Sequence, residues 1–129
     1  MKAKTISIYL LALFFSFAGV MHFVKPDIFV RAMPPYLPYQ LELVFISGVF
    51  EILGAVGLLA PLPRLRAAAG FGLIALLIAV FPANINMALN PQLFKEIAPV
   101  ILYCRLPLQL AFILWVRWAS KPMVEPVEP

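Results

Sequence analysis

Four continuous apolar stretches dominate the chain, running approximately over 5–24, 40–60, 65–89 and 98–119. Crossing about 30 Å of hydrocarbon takes roughly 20 residues of helix, and lipid admits only helices or closed barrels because it offers backbone N–H and C=O groups no partner. The stretches are rich in Leu, Ile, Ala and Phe, are broken by single Gly, Pro or polar residues, and lack the period-two alternation of a barrel strand. They predict an all-α fold, a four-helix transmembrane bundle, in one integral membrane domain over 1–129 with a flexible tail over 121–129. With 64% hydrophobic and 12% charged residues and a mean hydropathy of +0.98, a soluble fold could not be given a polar skin, which excludes a soluble enzyme. The net charge of +4 comes from cations scattered between apolar stretches, with no continuous basic face. The expected neighbour is therefore the lipid bilayer, and no nucleic acid.

Lys2 and Lys4 ahead of the first stretch imitate a signal peptide. The length of the run and the absence of a small-x-small cleavage pattern around Gly19 to Phe23 favour a retained helix. Six cations, Lys2, Lys4, Arg64, Arg66, Arg117 and Lys121, fall on one side of the bundle, and three, Lys25, Arg31 and Lys95, on the other, with Arg105 inside a span. The excess predicts that both termini are cytoplasmic. Pro61-Leu62-Pro63-Arg64 cannot continue a helix and forces the second and third spans into an antiparallel pair. The first outer loop begins with a brief helical turn over Pro26–Arg31 and continues through the stiff Met33-Pro34-Pro35-Tyr36-Leu37-Pro38-Tyr39, a lid expected to lie over the bundle mouth.

Charges inside lipid are costly, about 2.5 to 3.5 kcal/mol each on insertion scales, so they face the bundle interior and find partners. Glu51 in the second span and Arg105 in the fourth are such residues, about 15 Å and 10 Å below the outer surface at 1.5 Å per residue. Their depths predict an ion pair between them. His22, Ser47, Asn84, Asn86 and Gln109 fall in the same outer half, and together the seven residues outline a polar-bottomed cup opening outward, the candidate intramembrane pocket. The inner half is apolar, which disfavours a conducting pore. Ser47, Gly48, Glu51, Gly54, Ala55 and Leu58 share one stripe, whose small members let a neighbouring backbone approach. Pro82 and Pro107 each free a carbonyl that a nearby Asn, Gln or Arg side chain can occupy. The competing reading makes the same residues structural glue that stitches broken helices together. One histidine and one cysteine, Cys104, supply no metal site, no disulfide and no redox pair. No cofactor is expected to be bound covalently or through metal ligands.

Five blocks in order, Gly19-Val20-Met21-His22-Phe23-Val24-Lys25-Pro26-Asp27, Met33-Pro34-Pro35-Tyr36-Leu37-Pro38, Ser47-Gly48-Val49-Phe50-Glu51-Ile52-Leu53-Gly54, Val80-Phe81-Pro82-Ala83-Asn84-Ile85-Asn86-Met87 and Arg105-Leu106-Pro107-Leu108-Gln109, span nearly the whole chain. Together they resemble the small bacterial membrane proteins of the DoxX-like family. The resemblance implies four transmembrane helices in the bacterial cytoplasmic (inner) membrane and a role as a membrane oxidoreductase subunit. The wider family includes a subunit of thiosulfate:quinone oxidoreductase, and other relatives accompany amine-dehydrogenase maturation or complexes dealing with thiol stress. The resemblance gives no catalytic residue to carry over, and a single cysteine departs from the thiol chemistry of the maturation-type relatives. Two functions follow as expectations. The first is a quinone-linked subunit, with a quinone or other lipophilic small molecule as substrate and a partner oxidoreductase subunit for the electrons. The second is a non-enzymatic assembly or scaffold protein that docks a partner enzyme. Proton-coupled transport ranks below both, because no inverted repeat is visible.

Overall fold

Pro26, Pro63 and Pro99 each stand in the first turn of a helix, where the missing N–H would have no intrahelical partner in any case. A computed structural model describes residues 2–121. Its elements are α1 (Lys2–Val24), α2 (Pro26–Ala32), α3 (Gln40–Leu58), α4 (Pro63–Leu89), a 3-10 turn (Pro91–Leu93) and α5 (Pro99–Ser120). No strand occurs among the described residues. Helices α1, α3, α4 and α5 are each long and apolar enough to cross a membrane, and the chain is a multi-pass membrane protein. The expected tail lies, from residue 122 onward, outside the described residues.

The four long helices alternate in direction around the bundle. Gly19 of α1 packs on Gly48 of α3, Gly57 of α3 on Ala69 of α4, and Gly70 of α4 on Ser120 of α5. The indole Nε1 of Trp115 donates to Ser7 Oγ at 3.0 Å, tying α5 back to α1. Because the helices alternate, the start of α1 and the end of α5 share one end, where Lys4 Nζ donates to the Lys121 carbonyl at 3.5 Å. Leu11, Phe15, Leu58, Leu73 and Val116 form the core of that half. A smaller cluster of Ala32, Met87, Phe94 and Leu102 lies at the other end, under α2. Large apolar side chains face outward along the spans as well as inward: Leu11 is 0% exposed, and Leu13, on the opposite face of the same helix, is 68% exposed. Only lipid solvates such a surface without penalty.

The small-residue stripe of α3 serves two neighbours. A Cβ on Gly48 would lie 2.9 Å from the Cβ of His22 and 3.0 Å from the Gly19 carbonyl, so α1 and α3 approach backbone to backbone. Gly54 receives the Leu73 side chain of α4. The prolines inside the spans behave differently from expectation. Pro82 and Pro107 lie within unbroken α4 and α5, and no side chain among the described residues donates to the carbonyls of Ile78 or Tyr103 that they release. Gln109 Nε2 donates instead to Leu77 O, one residue before the freed carbonyl.

Candidate functional site

The glycine seam sets the site. His22 lies three residues beyond Gly19 and Glu51 three beyond Gly48, so the close crossing of α1 and α3 brings the two side chains together on the inner face. His22 Nδ1 lies 2.6 Å from Ala18 O and 3.2 Å from Glu51 Oε2. A neutral imidazole has one N–H on that nitrogen, and the Ala18 carbonyl, which can only accept, takes it. Glu51 Oε2 is thereby buried next to His22 with no hydrogen bond. The ring of Phe29, from α2, stacks on the imidazole at 3.8 Å between centroids and 19° between planes.

The predicted ion pair between Glu51 and Arg105 is not formed. Among the described residues the polar contact of Arg105 is Nη1 to Met87 Sδ at 3.5 Å, a weak acceptor, and the side chain beside Glu51 Oε2 is the His22 imidazole. Equal depth was not sufficient, because packing decides which faces meet: α3 closes on α1 through glycines, whereas α5 packs mainly on α4. Both charges nevertheless line the same space. A cavity of about 410 Å³ lies between the four long helices and α2, bordered by His22, Ser47, Glu51, Asn84, Arg105 and Gln109 and walled by Phe15, Val44 and Leu77. Its volume suits a small organic ligand.

The remaining polar residues have other duties. Gln109 Oε1 accepts from Asn84 Nδ2 while its Nε2 donates to Leu77 O, so both ends of the amide are committed to α4. Asn86 does not line the cavity. Its Nδ2 donates to the carbonyls of Ala32 at 3.0 Å and Met33 at 3.3 Å and pins the end of α2 over the bundle. Of the lid expected over 25–39, α2 and the following residue take the place: Ile28, Phe29, Ala32 and Met33 roof the cavity, and residues 34–39 do not line it. Arg31 holds it from above: its guanidinium pairs with Glu96 in the loop before α5 and lies 5.2 Å from the Phe94 ring centroid. A backbone hydrogen bond at Glu96 and the Arg31 cation hold the Glu96 carboxyl below its usual range. Sequence reasoning counted Arg31 only toward orientation and gave Glu96 no role, since a pair 65 residues apart on two loops leaves no periodic signal.

The seven candidates therefore divide. Asn84, Asn86 and Gln109 are glue. On the shared cavity Glu51 Oε2 has no hydrogen bond, Arg105 contacts a thioether, and Ser47 beside them has no side-chain partner among the described residues. This leaves a donor-rich guanidinium and an acceptor oxygen on one cavity among apolar walls, suited to a lipophile that carries both an acceptor and a donor oxygen. Among the described residues no group of three or more His, Cys, Asp and Glu comes together that could hold a metal ion. Cys104 is free and exposed on the bundle surface.

Residues 11–120 match the profile of the family described as "Domain of unknown function (DUF8561)". Searches of the curated proteins and of the solved structures found no match.

Proposed function

We propose that this chain, which belongs to the DUF8561 family, binds a lipophilic oxygen-bearing small molecule in the cavity beneath α2, with a quinone as the first candidate. The observation that carries the reading is that Glu51 and Arg105 line one apolar cavity without pairing to each other. Structural glue would show the two satisfied. A guanidinium whose partner is a thioether, and a buried carboxyl oxygen with no donor, are costly to hold in lipid unless something else meets them. Arg105 would donate to a carbonyl or phenolate oxygen of the ligand. Glu51 Oε2, beside His22, would accept or return the proton of a ligand hydroxyl. Phe15, Val44 and Leu77 would take its apolar body, and Phe29 would close the mouth. The resemblance to DoxX-like proteins supplies the redox part of the proposal: a subunit in the bacterial inner membrane whose electrons come from a partner oxidoreductase.

The test is purification into nanodiscs directly from membranes, followed by extraction and mass spectrometry of co-purifying lipophiles. A stoichiometric quinone in the native chain, absent from a folded Arg105→Gln variant, is the expected result. An empty cavity with a stoichiometric partner protein would instead favour an assembly role.

A further inference from the structure

The end of the bundle opposite α2 holds a second cavity, of about 310 Å³, between the starts of α1 and α4 and the ends of α3 and α5. Lys4, Arg66 and Lys121 border it, and among the described residues its lining includes no acidic side chain. Three cations brought together from α1, from α4 and from the residue that follows α5 repel one another, and the described residues give them little relief. Arg66 Nη2 donates to the Ala60 carbonyl at 3.1 Å, which fixes the guanidinium, yet its Nε is buried with no acceptor. Lys4 Nζ reaches the Lys121 carbonyl and lies 5.6 Å from the Trp118 ring centroid. Neither contact supplies negative charge. Below the cations the wall turns apolar, through Ile8, Leu58 and Leu59.

We infer that this cavity is a seat for a phosphate-bearing anion, built by the convergence of Lys4, Arg66 and Lys121 over an apolar wall at the end of the transmembrane bundle. A guanidinium held by its Nη2 and two flexible ammonium groups match the oxygens of a phosphodiester, and basic pockets between transmembrane helices are seats for anionic headgroups. The apolar wall favours the headgroup of an anionic phospholipid, whose acyl chain continues along Ile8 and Leu59. Inorganic phosphate shares the head chemistry without the chain. The site is separate from the cavity beneath α2 and does not depend on what that cavity binds.

The full chain is reconstituted in mixed nanodiscs of phosphatidylcholine and phosphatidylglycerol, and native mass spectrometry measures which lipid survives stepwise delipidation. In a second arm inorganic phosphate is titrated in zwitterionic detergent against chloride at equal ionic strength, with thermal melting as readout. Phosphatidylglycerol is expected to be retained preferentially, and each neutralised cation in Lys4→Gln, Arg66→Gln or Lys121→Gln to reduce the preference about fivefold, the equivalent of ~1 kcal/mol per cation. Melting in pure phosphatidylcholine discs shows which variants fold; Lys4→Gln and Lys121→Gln carry the test if Arg66→Gln does not. Cation-dependent stabilisation by phosphate, without lipid preference, supports the same seat with a soluble occupant. Equal retention of the two lipids together with no phosphate effect beyond chloride overturns the inference, as does a preference that the variants leave unchanged.

Discussion

Replacing Gly48 with alanine perturbs the contact on which the His22 and Glu51 geometry depends. The new Cβ would lie 2.9 Å from His22 Cβ, 2.9 Å from Phe23 Cε2 and 3.0 Å from the Gly19 carbonyl, whereas carbon atoms settle about 3.5 to 4.0 Å apart. Backbone and Cβ atoms cannot swing aside, so α1 and α3 must part by most of an ångström. Overpacking of this kind costs about 1–3 kcal/mol. Alanine also gains helix propensity over glycine, which confounds a single variant. Gly72 supplies the control, because a Cβ there meets nothing within 4 Å. The difference between Gly48→Ala and Gly72→Ala cancels propensity and leaves the clash, about 5- to 150-fold in the unfolding constant. Reversible unfolding in mixed micelles, followed by tryptophan fluorescence, measures both. If Gly48→Ala is as stable as Gly72→Ala, the helices do not cross at these glycines and the placement of His22 against Glu51 loses its cause.

Asn86→Ala should release the lid: two part-buried carbonyls lose their donor, a cost of about 1 kcal/mol, seen as faster amide exchange across α2, whereas unchanged exchange would remove Asn86 from that role. Gln109→Ala should lower the unfolding free energy by about 1–3 kcal/mol, while Arg105→Gln leaves it unchanged or higher, since a charge with no acidic partner is removed from lipid; the reverse order in the same unfolding assay would exchange their roles. The Glu96 carboxyl is held below its usual 4.5, so its contribution is fully present above that pH and is lost as pH falls through the lowered value. Exchange in α2 should therefore accelerate on acidification below 4.5 in the native chain, and Glu96→Gln should flatten the profile.

The spans could be read from the sequence because roughly 20 apolar residues have one use in a chain with so few charges. The lid could be read because Pro26 opens a helical turn and the proline-rich run after Met33 closes it. That His22, Ser47, Glu51, Asn84, Arg105 and Gln109 lie at similar depth was legible, since depth along a helix follows from counting residues. Which of them touch was not. Depth fixes height, but helix rotation and the choice of neighbour come from packing, and Gly19 and Gly48 gave His22 the place beside Glu51 that height alone offered to Arg105. Asn86 was misplaced for the same reason: two residues beyond Asn84 it faces about 200° around the helix, toward α2 instead of the cavity. The cations of the second cavity were visible only as an orientation signal, since Lys4, Arg66 and Lys121 become neighbours through the alternating topology.

The affinity of a short-chain quinone for the chain in nanodiscs, compared between the native protein and Arg105→Gln, bears most directly on what the cavity beneath α2 is for. A hydrogen bond from a charged donor is worth about 1.5–3 kcal/mol, so binding to the native chain and a loss of about 10- to 150-fold in the variant are expected. Equal affinities, or no binding to either, would contradict a ligand seated on the Arg105 guanidinium.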